Sequence, residues 1–284
     1  MGKVGNHGIS QDEQNQRYLE ERKNHYESVV KKLTIMDDVF MRNVLKKKSC
    51  TEYILQIIMG EKNLRVIDQV LQKDYKNLQG KSAILDCVVV NAEGKEINVE
   101  FQHEDQGASP KRARYHSGLL DMNTLDPGQD FNELPESYVI FITRGDVLGY
   151  GLPIYHVERK IEEVEKNFKD EAHIIYVTGS NRENTELGRL MHDLNCKNPN
   201  EMHSEILAQR VYELKETPEG VKIMCNEMQK ILDEGIEIGT ERGIEKGIKL
   251  CQGFGSSREL AKHKIMEEFS LSAEQAEEKL NLYW

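Results

Sequence analysis

The chain has 284 residues, 38% of them hydrophobic and 31% charged, enough for one sizeable core with appendages. Its formal net charge of −11 at face value argues against a nucleic-acid partner, and no apolar run approaches the ~18 residues of a membrane span. The polar stretch 1–15 lacks the apolar segment of a secretory signal, and the five scattered cysteines form no CxxC pair or zinc-spaced cluster, which predicts reduced thiols in a cytoplasmic protein.

The charge is uneven. Residues 1–48 carry ten basic and seven acidic side chains, 49–157 ten and sixteen, and 158–284 eighteen and twenty-six. Contact with nucleic acid would therefore rest on local basic clusters. Residues 1–32 read as a polar arm, frayed at its start. Val39, Phe40, Val44 and Leu45 predict a short helix ending in Lys46, Lys47 and Lys48. Ser49 or Thr51 is placed to cap a second helix that runs to Gly60, with Tyr53, Ile54, Ile57 and Ile58 on its apolar face. Leu64–Leu71 reads as a strand.

Two further β-branched runs, Ile84–Val90 and Glu96–Phe101, flank Asn91-Ala92-Glu93-Gly94-Lys95. This linker predicts a hairpin in which Gly94 takes the left-handed conformation. Ser109 and Pro110 introduce a helix over 111–122, and Tyr138–Thr143 reads as a buried strand. Short strands follow at 154–157 and 174–177. Beyond residue 183 the pattern is helical, over 186–194, 203–216 and 221–250, with a final helical pair divided at Ser270-Leu271-Ser272. This order predicts an α/β (α+β) fold, a mixed sheet flanked by helices. The expected organisation is a polar arm (1–32), a core (33–182), a helical extension (183–254) and a small C-terminal helical module (255–284). Within the extension, Gly235, Gly239, Gly243 and Gly247 recur at every fourth position. In a solvated helix each would cost roughly 1 kcal/mol relative to alanine. Close helix packing that makes a homodimer or higher homo-oligomer is one expectation, and a mobile helical linker is the other.

If Asn91 pairs with Lys95, Asp86 faces Glu100 across the hairpin. Alternation then places Asp86, Val88 and Val90 on one face with Asn98, Glu100 and Gln102. Opposed Cβ atoms lie ~4.5–5.5 Å apart, so the two carboxylates repel each other. Two readings stand. The strands are half exposed and the acids solvated, or a divalent cation such as Mg²⁺ neutralises the pair.

The order Ile84-Leu85-Asp86-Cys87-Val88, then Asn98-Val99-Glu100-Phe101-Gln102, then Lys111-Arg112-Ala113-Arg114-Tyr115-His116 and the strand Tyr138–Ile142 resembles the PD-(D/E)XK nucleases. In particular it resembles their transposase-associated branch, the recombination-promoting nucleases, from Asp37 through the glycine repeat and the helical tail. The resemblance implies a restriction-endonuclease-like core and a DNA endonuclease that hydrolyses phosphodiesters with Mg²⁺, Mn²⁺ being a substitute. It assigns Asp86, Glu100 and Gln102 to catalysis, and Asp86, Glu100, the Phe101 carbonyl and Glu52 to the metal. For Glu52, a solvated carboxylate at a helix start is the competing reading. Gln102 stands where better-known members have lysine, and an amide orients by hydrogen bonds without supplying charge. A binding or assembly protein on a retired nuclease fold is therefore the second functional reading, and RNA a minor alternative substrate. Lys111, Arg112 and Arg114 are expected on phosphate. His103 and His116 lack a second histidine at metal-ligand spacing and read as structural.

Overall fold

The computed structural model of the chain describes residues 11–75, 83–102, 105–181 and 183–284. Two compact units are present, Met1–Cys225 and Asn226–Trp284. The first ten residues of the polar arm, where fraying is expected, lie outside the described residues; Gln11–Val30 forms helix α1. Its i,i+4 ion pairs, such as Arg17–Glu21 at 3.0 Å, support a helix that apolar periodicity does not register.

Helices α2 (Asp38–Leu45) and α3 (Lys48–Met59) follow almost without a gap. Neither Ser49 nor Thr51 caps α3. Its N-cap is Lys47, with no side-chain bond, and Thr51 is buried inside the helix. Burial of Ile54, Leu55 and Ile58 sets where this helix lies, and Gly60 ends it in the left-handed conformation at φ 69°.

Strands β1 (Val66–Tyr75), β2 (Ala83–Asn91) and β3 (Glu96–Gln102) form an antiparallel meander. At the β2–β3 turn, Asn91 Oδ1 accepts the N–H groups of Glu93 and Lys95, at 3.0 and 2.9 Å, and Gly94 has φ 82°. This is the expected hairpin. Helix α4 (Pro110–Met122) starts at Ser109, whose hydroxyl accepts the Arg112 N–H. Strands β4 (Ser137–Thr143) and β5 (Ile154–Val157) come next, then a two-residue pair, β6 (Lys160–Ile161) with β7 (Lys166–Asn167), and β8 (Ala172–Thr178). The main sheet has the order β1-β2-β3-β4-β8-β5; β3–β4 and β4–β8 are parallel and the other pairings antiparallel. A six-stranded mixed sheet with flanking helices is the restriction-endonuclease-like α/β architecture.

Helix α4 covers one face of this sheet. Its Ala113, Leu119 and Leu120 share a core with Val88, Val139, Phe141 and Tyr176. Helices α5 (Glu186–Asn195) and α6 (Glu205–Glu216) pack on α3. A buried lysine, Lys215 of α6, ties this layer together. Its Nζ donates to the carbonyls of Leu33 at 2.5 Å, Lys197 at 2.6 Å and Lys31 at 3.4 Å, and lies 5.0 Å from the Phe40 ring centroid.

Helix α7 (Pro218–Gly253) opens on a proline at its first position. In the second unit it joins α8 (Arg258–Phe269) and α9 (Ala273–Tyr283) around Ile244, Ile248, Ala261, Ile265, Ala276 and Leu280. The final helical pair is as expected. The glycine stripe divides by environment: a Cβ on Gly243 would lie 3.1 Å from the Phe269 ring, while Gly235, Gly239 and Gly247 face open space. Among the described residues no helix is long and apolar enough to cross a membrane.

Lys215→Met should lower unfolding free energy by roughly 2 kcal/mol in urea titration, because three part-buried carbonyls lose this donor and an apolar chain supplies none. Unchanged stability would show that these bonds contribute nothing net.

Candidate functional site

The β2–β3 ladder pairs Val90 with Glu96, Val89 with Ile97, Val88 with Asn98 and Cys87 with Val99. Continued by one step, this register sets Asp86 opposite Glu100, as the hairpin reading requires. At that step side chains replace the ladder. The Asp86 N–H donates to Glu100 Oε1 at 3.3 Å, and the Phe101 N–H donates to Asp86 Oδ2 at 2.9 Å. On the far side of Asp86, the β1–β2 pairing steps from Leu71–Cys87 to Lys73–Leu85. Between them lies Gln72, a non-glycine residue at φ 52°. A left-handed residue inside a strand costs about 1–2 kcal/mol and turns its backbone out of the ladder.

Glu100 is fully buried. The polar–apolar alternation of β3 therefore does not mark a half-exposed strand. Ile97, Val99 and Phe101 fill one side, and Asn98 and Glu100 lie buried on the side that α4 covers. Glu100 Oε1 also accepts from Asn98 Nδ2 at 3.0 Å, whereas Oε2 has no hydrogen-bond partner. Asp86 is half-buried. Its carboxyl is pushed up to about 7, first by desolvation and then by the Glu100 carboxylate, with a smaller contribution from Asp38.

Helix α4 brings two more groups to the pair. Arg112 Nη2 lies 3.6 Å from Glu100 Oε2, and His116 Nδ1 lies 3.5 Å from Glu100 Oε1. Arg112 Nε donates to His116 Nε2 at 3.3 Å, so the imidazole carries its proton on Nδ1, toward the carboxylate. His116, read as structural from sequence, thus sits against the central acid; its helical spacing of four from Arg112 is the signal that would have found it. Gln102 alternates onto the same face as Glu100. Its carboxamide oxygen lies so close to Gly107 that a Cβ there would overlap it. A side chain at 107 would push the flexible end of Gln102 aside.

Other expected residues are placed differently. Glu52 does not join the acid pair. Its Oε1 accepts the Val66 N–H at 2.9 Å and its Oε2 lies 3.9 Å from Arg65, at the start of β1. Val66 pairs with Asn91, five residues along β2 from Asp86, or about 16 Å at strand rise. Asp38, in the first turn of α2, is the acid that reaches Asp86 electrostatically; it accepts from Gln72 Nε2 at 3.2 Å and pairs with Arg42 at 2.9 Å. No motif in the sequence singles it out. The backbone N–H and C=O of one strand residue point the same way, so the Phe101 carbonyl also faces the β2 side. Lys111 and Arg114 are exposed, and Arg114, two positions from Arg112, lies on a different face of α4. The three basic residues are therefore not one cluster. His103 lies outside the described residues.

A buried carboxylate oxygen that no hydrogen bond satisfies and that Arg112 approaches only to 3.6 Å, beside a second desolvated carboxyl, fits an oxygen-preferring divalent cation, which Asp86 and Glu100 would hold. Within the described residues, the one cluster of three histidine, cysteine or acidic groups at metal-ligand separation is elsewhere, at His192, Asp193 and His203. The family described as PD-(D/E)XK nuclease family transposase matches residues 38–187. No curated protein and no solved structure matches the chain.

A carboxyl raised from 3.8 to about 7 binds its proton more tightly in the folded state, so its contribution to stability is lost as pH rises across that window. In chelator, Tm should therefore fall between about pH 4 and pH 7 more steeply for the wild type than for Asp86→Asn. Parallel Tm profiles would show that Asp86 is not strained.

Proposed function

Because the chain belongs to the PD-(D/E)XK nuclease family transposases, we propose that it is a metal-dependent DNA endonuclease, acting in transposition or recombination, with its site at Asp86 and Glu100. The observation that carries this reading is the Oε2 of the fully buried Glu100, which accepts no hydrogen bond, beside the raised Asp86 carboxyl. Asp86 and Glu100 would hold Mg²⁺, or Mn²⁺ in its place, and the Phe101 carbonyl, which faces β2, would offer a further oxygen. When bound, the cation lowers the pKa of a coordinated water and offsets charge on the phosphate being cut.

The remaining work falls to side chains. Gln102, lodged against Gly107, orients the attacking water through its amide and carries no charge. The positive charge absent at that position comes from Arg112, half exposed at the edge of the site and 3.6 Å from Glu100 Oε2. A guanidinium there meets the phosphate bidentately. His116 positions both Arg112 and Glu100. Lys111 and Arg114, exposed on α4, contact the DNA backbone away from the scissile bond.

Purified protein should nick supercoiled plasmid with Mg²⁺ or Mn²⁺ and not in chelator. Asp86→Ala and Glu100→Ala should show no nicking above background, and Arg112→Ala should lose roughly 10²-fold in rate. If Asp86→Ala cuts like the wild type, the assignment fails. Absence of both nicking and Mg²⁺ or Mn²⁺ binding by calorimetry would favour an assembly or binding protein on this fold.

The exposed segment of α7 supports self-association as part of the same reading. Gly235 and Gly239 meet nothing within 4 Å, and Ile231, Leu232, Ile236 and Ile238 are exposed around them. A homodimer packed there supplies the two sites that cutting both strands requires. Light scattering should give a multiple of the 32.8 kDa chain mass, falling to one chain for Ile236→Lys with Gly239→Lys. An unchanged mass in the double variant removes this interface.

A further inference from the structure

The last turn of α5 carries His192 and Asp193, and His203 lies just ahead of α6, which Ser204 caps. Asp193 is fully buried and rigidly held. Its Oδ1 accepts the His203 N–H at 2.8 Å and its Oδ2 accepts the Ser204 N–H at 2.7 Å. These bonds explain why an acid is buried there: it satisfies donors at the start of α6. They do not explain the two imidazoles. His192 Nδ1 lies 3.0 Å from Asp193 Oδ1, and the His203 ring stands edge-on to the His192 ring with centroids 4.8 Å apart. One ligand atom from each of the three residues lies within 4.8 Å of the other two.

We propose that His192, Asp193 and His203 form a second metal site, selective for a borderline transition-metal ion of the Zn²⁺ class. Ligand atoms ~2.0–2.2 Å from such an ion are separated from one another by roughly 3.0–3.5 Å. The His192–Asp193 pair already has this spacing. The His203 side chain is exposed, so a small ring rotation closes the third position and solvent reaches the remaining ones. Two imidazoles and one carboxylate select Zn²⁺, Ni²⁺ or Cu²⁺ over Mg²⁺, which takes oxygen ligands. Two backbone amides already fix the carboxylate, as outer partners do at metal sites. The ion would join the end of α5 to the start of α6 across the turn 196–202, stapling the helical layer packed on α3. It lies apart from the Asp86–Glu100 pair and does not depend on the nuclease reading.

Co²⁺ titration of the full-length Asp86→Asn chain, in which the acid pair is disabled, provides the test. One equivalent of Co²⁺ should produce visible d–d absorption that Zn²⁺ abolishes and excess Mg²⁺ leaves intact, and Zn²⁺ should raise Tm in a concentration-dependent way. His192→Gln and His203→Gln, both at partly or fully exposed positions, should each weaken Co²⁺ binding at least about 10²-fold while circular dichroism stays that of the parent. No d–d absorption in the parent chain, or absorption that survives in both histidine variants, would overturn the proposal.

Discussion

A carboxylate buried beneath a helix, with one oxygen left without a hydrogen-bond partner, is the constraint around which the first unit is organised. Removing a charge from water costs several kcal/mol unless it is paired and hydrogen-bonded. Here Glu100 receives two hydrogen bonds on Oε1 and the loose approach of Arg112 on Oε2. The arrangement persists because packing elsewhere imposes it. β3 is central in the sheet, paired on both sides, and α4 is pinned over it by Leu119 and Leu120. The core of Val88, Val139 and Phe141 therefore holds in place an acid that would otherwise move to water.

Local departures from regular geometry cluster at the same point. Gln72 adopts a left-handed backbone opposite Asp86, the β2–β3 ladder gives way to carboxylate acceptors, and Gly107 is left bare for the Gln102 carboxamide. Each is unfavourable taken alone. Together they free backbone donors to fix the two carboxylates and bring Asp38, Arg112 and His116 around them. Strain concentrated at one level of a sheet is the pattern expected where geometry serves chemistry rather than stability.

The two histidines beside Asp193 show a related economy. An acid buried to accept the backbone N–H groups of His203 and Ser204, just ahead of α6, also pairs with the His192 imidazole, against which the His203 ring stands edge-on. Of these two buried carboxylates, Asp193 is satisfied by backbone amides, and Glu100 keeps one oxygen without a hydrogen bond. The first builds a turn. The second keeps an oxygen that only the Arg112 guanidinium approaches, at 3.6 Å.

The sequence alone determined most of the elements and their order, though not α1 or the short β6–β7 pair, together with the hairpin at Asn91–Lys95, its register, and hence that Asp86, Glu100 and Gln102 share a face. Those are local properties, set by side-chain period, turn chemistry and glycine's access to positive φ. Family resemblance supplied the chemical reading, and the family match over residues 38–187 supports it. What the tertiary structure decided was burial and company. The same alternation in β3 describes a strand open to water on one side or covered on both, and only the docking of α4 makes Glu100 a buried acid. Likewise, Glu52 and Asp38 are equivalent as acids near helix starts. Their fates differ because β1 begins beside one and its strained residue, Gln72, reaches the other. Contacts between residues distant in the chain are set by packing, which no local pattern encodes.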